Sequence, residues 1–149
     1  MIPEAIAAYA HYLSIFVTLG LLVAEFTLFR REMSAATVKL LPTLDLAYLG
    51  GAVAIIVTGL LRVFFFAKGA EYYAANHVFW LKMAMFVAVG LLSLPPTFAF
   101  IANRKRANGG ALVLDAARYR ATRRYIHAEL GIFALIPLAA ALMARGIGS

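Results

Sequence analysis

Residues 44–66 read LDLAYLGGAVAIIVTGLLRVFFF, a stretch that is almost entirely apolar. A stretch of this length crosses the hydrocarbon core of a bilayer as an α-helix, which requires about 20 apolar residues. An isolated strand cannot satisfy its backbone hydrogen bonds in lipid, so a helix is the expected form. Three further stretches have the same character, at about residues 4–29, 79–102 and 127–144. The sequence therefore predicts an all-α membrane protein, a bundle of four transmembrane helices.

The composition supports this assignment and excludes several kinds of site. Of the 149 residues, 64% are hydrophobic and 14% are charged, which is too apolar for one soluble core. The absence of cysteine excludes disulfides, thiolate metal sites, iron–sulfur clusters and covalent haem attachment through a CxxCH motif. The N-terminus lacks the features of a cleaved signal peptide, so the first span is expected to be retained. We expect one domain, 1–149, with helices at about 4–29, 44–66, 79–102 and 114–145, the last including a basic cytoplasmic extension.

Lysine and arginine are distributed unevenly between the connections. The first connection carries three of the 14 and the third carries seven. The positive-inside rule places both segments in the cytoplasm, so both chain termini are expected on the outer side of a bacterial inner membrane. The remaining cations then lie on that outer side: Arg62, Lys68, Lys82 and Arg145. This topology explains the pI near 10.1, so we expect contact with membrane lipids and no nucleic-acid binding.

Ionisable side chains inside a span are costly and usually face the bundle interior or a functional cavity. Helical periodicity places His11 on the face of the first helix that also carries Glu25. At the outer level, His11 is joined by one cation from each other helix, namely Arg62, Lys82 and Arg145. A lone imidazole among cations suits haem b, with the imidazole as axial ligand of the iron and the cations facing the propionates. We therefore expect a haem site at the outer level.

Alternatives remain open for this outer cluster. Cations at span ends are also explained by snorkelling to the interface, with His11 as a hydrogen-bonded interior residue. A quinone or an anionic lipid headgroup matches the same residues less completely. His77 lies in an aromatic run before the third helix, where it belongs to an interfacial belt or supplies a second axial ligand. Around the haem ring we expect apolar side chains such as Leu13, Phe16 and Met85.

A second cluster of ionisable residues is expected at the inner level: Glu25, Asp45, His127 and Glu129. Ion pairs with the nearby cations Arg30, Arg123 or Arg124 explain these acids most simply. A metal site or a proton-entry site is the alternative. His127 is expected at the opposite membrane face from His11, so these two residues cannot ligate the same haem.

Several short motifs lie within the spans or at their ends. They are His11 in the first helix, GLLRV at 59–63, FFAKG at 65–69, FWLK at 79–82, LPPT at 94–97 and ALMARG at 141–146. With these motifs the chain resembles, over nearly its whole length, a bacterial inner-membrane family, domain of unknown function 2214. The resemblance implies a membrane protein and no particular activity.

His11 and the segment Trp80-Leu81-Lys82 carry a second, weaker resemblance. They are similar to the early histidine and the Trp-x-x-Lys-like helix opening of HemJ-type protoporphyrinogen oxidases, small membrane bundles that bind haem b. The resemblance implies a haem-ligand role for His11 and a functional role for Lys82. The chain departs from that family because it lacks the histidine that follows the lysine and has Pro95 and Pro96 in that region.

These observations predict a haem b-binding membrane redox protein that exchanges electrons with quinol or with an outer-side oxidant. Whether it is an enzyme, for example a haem-dependent oxidoreductase, is left open by the sequence. The alternative is a non-redox membrane protein that binds a lipid or small anion or assists assembly of another membrane complex. Small residues expected on exposed helix faces, including Gly50, Gly51 and Gly59, permit close packing of a second copy, so a homo-oligomer is expected.

Overall fold

Four long helices dominate the computed structural model, which describes residues 2–66 and 70–148. In chain order the elements are α1 (Ile2–Leu28), β1 (Glu32–Met33), α2 (Ala35–Leu61), a π-helical turn (Arg62–Phe66), α3 (Ala70–Ala75), α4 (His77–Ala107), β2 (Leu112–Val113) and α5 (Ala116–Ala144). Within the described ranges, α1, α2 with its π-helical turn, α4 and α5 are long and apolar enough to cross a membrane. The predicted four-helix transmembrane architecture is confirmed. Lys68 lies outside the described residues.

The spanning helices form a closed ring in the order α1, α2, α4, α5. The most extensive contacts join α1 to α2 and α4 to α5, and contacts of α2 with α4 and of α1 with α5 close the ring. Large apolar side chains such as Phe16, Phe65 and Phe98 point outward and are exposed. A bundle that is apolar on its outside as well as its inside is suited to lipid.

The two ends of the bundle differ in character. The starts of α1 and α4, the π-helical turn and the end of α5 lie at one end, which we call the terminal end. The two short strands lie at the other end, which we call the ribbon end. There β1 and β2 pair antiparallel, with Glu32 opposite Val113 and Met33 opposite Leu112. Connections far apart in the sequence are therefore joined by backbone hydrogen bonds.

The second spanning helix begins earlier than the hydropathy pattern indicates. We predicted a start near residue 44, whereas α2 begins at Ala35. Ser34 is its N-cap, and the hydroxyl of Ser34 accepts a hydrogen bond from the backbone N–H of Thr37 at 3.2 Å. Pro42 is accommodated inside the helix. The sequence prediction was wrong here because polar residues in the first turns lower the hydropathy without preventing helix formation.

The two later spans have their own capping residues. Asn76 precedes α4, and its side-chain oxygen accepts hydrogen bonds from the N–H groups of Val78 and Phe79. Asn108 ends this helix in the left-handed conformation, with φ of 43°. Asp115 precedes α5 and accepts from the N–H of Arg118 at 2.9 Å. The predicted basic extension of the last span is therefore helical from its first turn.

Arg123 of α5 holds the end of α1. Its guanidinium donates hydrogen bonds to the backbone carbonyls of Phe26 at 3.1 Å and Phe29 at 3.0 Å. It also lies 4.0 Å from the centroid of the Phe26 ring. The last carbonyls of a helix have no partner within the helix and carry partial negative charge. Arg123 therefore stabilises the α1 terminus, and this use of its guanidinium was not predicted.

Two glycines of α2 allow α1 to approach closely. A Cβ atom at Gly51 would overlap the hydroxyl of Thr18, and one at Gly59 would lie 3.2 Å from Cε1 of His11. We expected Gly51 and Gly59 on exposed faces available to a second copy, and this was wrong, because both face α1 within the same bundle. A Cβ atom at Gly50 would have nothing within 4 Å, and this residue does face outward.

Candidate functional site

The half-buried imidazole of His11 lies between α1 and α2 near the terminal end. Its Nδ1 is 2.9 Å from the hydroxyl oxygen of Thr58. The same hydroxyl donates its single hydrogen to the backbone carbonyl of Ala54 at 2.6 Å. This network favours the tautomer in which Nδ1 carries the proton and donates to Thr58. In this tautomer Nε2 has a free lone pair and is the nitrogen able to ligate a metal.

Two of the predicted cations lie near this imidazole. Arg62 and Lys82 both interact electrostatically with His11, and they interact with each other. Arg62 follows Thr58 by one helical turn, so both residues lie on the same face of α2. The guanidinium carbon of Arg62 is 5.3 Å from the centroid of the Tyr12 ring, and Nζ of Lys82 is 5.4 Å from that of Phe79.

These two cations lack acidic partners among the described residues. The ion pair found there joins Arg118 to Asp115 at 3.2 Å, far away at the start of α5. Arg62 is the first residue of the π-helical turn that follows α2. An anionic group placed between Arg62 and Lys82 would therefore meet two positive charges and no competing carboxylate from the described chain.

Other residues predicted for the outer cluster lie apart from it. Arg145 is exposed at the C-terminal cap of α5, and no interaction with His11 is found for it in the described chain. His77 is exposed at the first position of α4, where its backbone N–H donates to the carbonyl of Gly148 at 2.9 Å. Leu13 and Phe16 are 47% and 71% exposed. Both lie on the side of α1 opposite His11 and face outward. We expected them around a haem ring next to the imidazole, and this was wrong.

An open, shallow apolar cavity of about 380 Å³ lies at the surface between α1 and the end of α2. Its lining consists of Pro3, Ile6, Ala7, Ala10, Thr58, Leu61 and Phe66. Thr58 thus borders the cavity and also holds the imidazole of His11. Small-molecule pockets typically occupy about 300–1,000 Å³ and are mainly apolar with a few polar groups. The volume is at the lower end of this range.

A second group of polar side chains lies inside the bundle, towards the ribbon end. We call it the carboxyl centre, and it consists of Glu25 (α1), Asp45 and Tyr48 (α2), Thr97 (α4) and Glu129 (α5). The three acids interact electrostatically with one another. The Thr97 hydroxyl donates to Oδ1 of Asp45 at 2.9 Å, and the Tyr48 phenol is positioned to donate to Glu129. All four spanning helices contribute to this centre.

The structure corrects two expectations for the inner cluster. His127 is exposed and lies against Phe26, with ring centroids 5.8 Å apart, so it is not part of the carboxyl centre. The expected ion pairs of the acids with Arg30, Arg123 or Arg124 are not formed in the described part of the chain. Arg123 instead uses its guanidinium on the backbone at the end of α1. Residues 2–66 and 70–148 contain no group of three histidines or acids placed to hold a metal ion.

Sequence reasoning missed the hydroxyl residues of both sites. The sequence places Thr58 on the same face of the second helix as Arg62, but its bond to His11 depends on the rotation of two helices. Tyr48 and Thr97 carry no sequence signal that separates them from other hydroxyl residues in the spans. Their spacing gives one retrospective signal, since Tyr48 follows Asp45 by three residues and shares its helix face.

A further cavity, of about 460 Å³, opens at the ribbon end between the start of α2 and the end of α4. Three cations border it, Lys39, Arg104 and Lys105. Its other side chains include Val38, Pro42 and Ile101, which are apolar. The cavity therefore combines positive charge with an apolar wall.

A match to known proteins is found at the level of the family. A family model described as "Predicted membrane protein (DUF2214)" matches residues 3–148. Neither the curated proteins nor the solved structures include a match to this chain.

Proposed function

The chain belongs to this family of predicted membrane proteins, and from the geometry of its own bundle we propose that it binds haem b and works in redox chemistry in a bacterial inner membrane. The observation that carries this proposal is the bond between Nδ1 of His11 and Thr58 at 2.9 Å. Metal-ligating histidines almost always donate their second ring N–H to a fixed acceptor, which sets the tautomer and the ring orientation. His11 has this arrangement, with Nε2 left for the iron.

The surrounding charges support the same proposal. Haem carries two propionates, and Arg62 and Lys82 are the two cations near His11 without acidic partners in the described chain. A single axial histidine is sufficient for haem, so the lack of a three-ligand cluster in the described residues does not count against it. The apolar cavity bordered by Thr58 supplies the beginning of a ring-binding space. Quinol or an outer-side oxidant is the proposed electron partner.

An absorption spectrum tests the proposal. Purified protein, expressed with added haem, should show a Soret band and sharpened bands after reduction with dithionite. His11→Ala should lose this chromophore while its circular dichroism remains helical, because no neighbouring aliphatic group replaces the coordinate bond. His127→Ala is the matched control and should keep the spectrum, since His127 is exposed outside the site. Folded wild-type protein without a Soret band would refute haem binding.

The cavity at the ribbon end favours a second candidate function, the binding of an anionic lipid or a small anion. Lys39, Arg104 and Lys105 suit a phosphate group, and the apolar wall suits the start of an acyl chain. Bound lipid or anion measured by native mass spectrometry should fall when these three cations are replaced by alanine. Arg106→Ala is the control, because Arg106 is exposed nearby without bordering the cavity.

The sources of the anion are distinguished by the ligand supplied. Retention of phosphatidylglycerol but not of inorganic phosphate would identify a lipid site, and retention of both would identify a phosphate site. Equal binding of phosphatidylglycerol and phosphatidylcholine, unaffected by the three substitutions, would contradict this second function.

A further inference from the structure

The carboxyl centre is more deeply buried than any other group of ionisable residues in the described chain. Glu25 is 2% exposed, Glu129 is 1% exposed and Asp45 is 9% exposed. They come from three different helices, so packing of the whole bundle is needed to bring them together. This burial is costly for any ionised carboxylate, because the interior lacks the water that solvates the charge.

The hydrogen-bond donors at this centre are too few for its acceptors. An ionised carboxylate only accepts hydrogen bonds, and three of them supply six oxygens. Thr97 donates to Asp45, and Tyr48 is positioned to donate to Glu129. Oε1 of Glu25 and Oε1 of Glu129 are buried and have no hydrogen-bond partner among residues 2–66 and 70–148. Buried polar atoms without partners are rare in native proteins, and each calls for a bound water, ion or ligand, or for a proton on the carboxyl group.

No positive side chain of the described residues neutralises the acids. The groups that face the centre are Glu25 from α1, Asp45 and Tyr48 from α2, Thr97 from α4 and Glu129 from α5. Arg123 of α5, which faces α1, donates to two backbone carbonyls of α1 instead. Three buried negative charges without a counter-ion would repel one another strongly at low dielectric. The charge must therefore be removed by bound cations or by protons.

The arrangement of the three acids favours neutralisation by protons over neutralisation by a metal ion. The described residues contain no group of three acids or histidines placed to hold a metal ion. A proton needs only one carboxyl oxygen, and it converts an acceptor into a donor, which is the element that this centre lacks. Two neighbouring carboxyl groups that share one proton are an established way to avoid two adjacent charges.

We propose that Glu25, Asp45 and Glu129 form a proton-binding centre inside the membrane, which takes up and releases protons. Glu25 lies one helical turn before the end of α1 at Leu28, which places the centre in the half of the bundle nearer the ribbon end. The centre is separate from His11, which lies on the same helix nearer the terminal end. The proposal therefore does not depend on haem binding.

Infrared spectroscopy of the purified protein in lipid vesicles tests this proposal directly. At neutral pH the wild type should show the C=O stretch of protonated carboxyl groups, and the band should shift after transfer to D2O. Glu25→Gln and Glu129→Gln should each reduce this band. Glu32→Gln is the matched control and should leave it unchanged, because Glu32 is exposed to solution in β1.

Stability gives an independent readout that separates protons from cations. Glutamine closely resembles a protonated glutamic acid, so Glu25→Gln and Glu129→Gln should unfold in detergent at a temperature equal to or above that of the wild type. Three results would overturn the proposal: ionised carboxylate bands alone, a protonated band that does not shift in D2O, or a loss of stability in both variants together with stoichiometric release of a bound metal cation.

Discussion

Replacement of Gly51 by alanine tests the close contact between α1 and α2. A Cβ atom at this position would overlap the hydroxyl of Thr18 and lie 3.2 Å from its Cβ atom. Thr18 is fully buried, and its hydroxyl donates to the carbonyl of Ser14 at 2.6 Å. The side chain therefore cannot move away without losing this bond. A Cβ atom added at the neighbouring residue Gly50 would have nothing within 4 Å, so Gly50→Ala provides a control on the same helix.

The expected difference follows from two opposing effects. Glycine to alanine inside a helix stabilises by about 0.5–1 kcal/mol, because alanine loses less backbone entropy. Overpacking of a tightly packed position costs about 1–3 kcal/mol. Gly50→Ala should show the first effect alone, whereas Gly51→Ala should show both. The free energies of unfolding of the two variants should therefore differ by about 1–3 kcal/mol, since the helix-propensity gain cancels.

Reversible unfolding of both variants in mixed detergent micelles, followed by circular dichroism, measures this difference. Thr18→Ala in the Gly51→Ala background should restore most of the lost stability, because it removes the atoms that overlap. Equal stabilities for the Gly50 and Gly51 variants, or no recovery in the double variant, would refute the close contact between these two helices.

Three further predictions concern other parts of the bundle. Arg123→Met should lower the free energy of unfolding by about 1–3 kcal/mol, because two carbonyls of α1 lose a charged donor. Arg124→Met, at an exposed position, should change this free energy little. Equal losses of stability in the two variants would contradict the capping role of Arg123. Nitrogen NMR of histidine-labelled protein should show the Nδ1–H tautomer for His11, and Thr58→Val should convert it to a mixture of tautomers. An unchanged spectrum in the variant would remove the basis for a free Nε2. The orientation is tested by the single-cysteine variants Glu71→Cys and Asn108→Cys. A membrane-impermeant thiol reagent added to intact cells should label the cysteine at 71 and not the one at 108. The reverse labelling pattern would invert the topology.

The fold was largely predictable because four long apolar segments in one chain leave few alternatives in a bilayer. The start of α2 was not predictable in this way, because hydropathy describes contact with lipid and does not detect the hydrogen bonds of an N-cap such as Ser34. The pairing of β1 with β2 was also unpredictable. Two-residue strands have no recognisable periodicity, and their partners are distant in the sequence.

The candidate sites were predictable only in part, for a related reason. Helical periodicity correctly grouped His11 with Arg62 and Lys82, because each lies on the face that its helix turns inward. Periodicity does not fix the direction or the depth of a side chain at the last residue of a helix. Arg145, at the C-cap of α5, was therefore assigned to a cluster from which it is absent. His127 was misassigned because it is two residues from Glu129, which places the two side chains on different faces.

The pairing of β1 with β2 has a consequence for how the bundle can open. It links the α1–α2 hairpin to the α4–α5 hairpin at the ribbon end. Arg31 strengthens this joint, since its carbonyl accepts from the N–H of Leu114 at 2.8 Å and its side chain donates to the carbonyl of Leu114 at 3.2 Å. Separation of the two hairpins at the ribbon end would therefore break backbone hydrogen bonds in addition to side-chain packing.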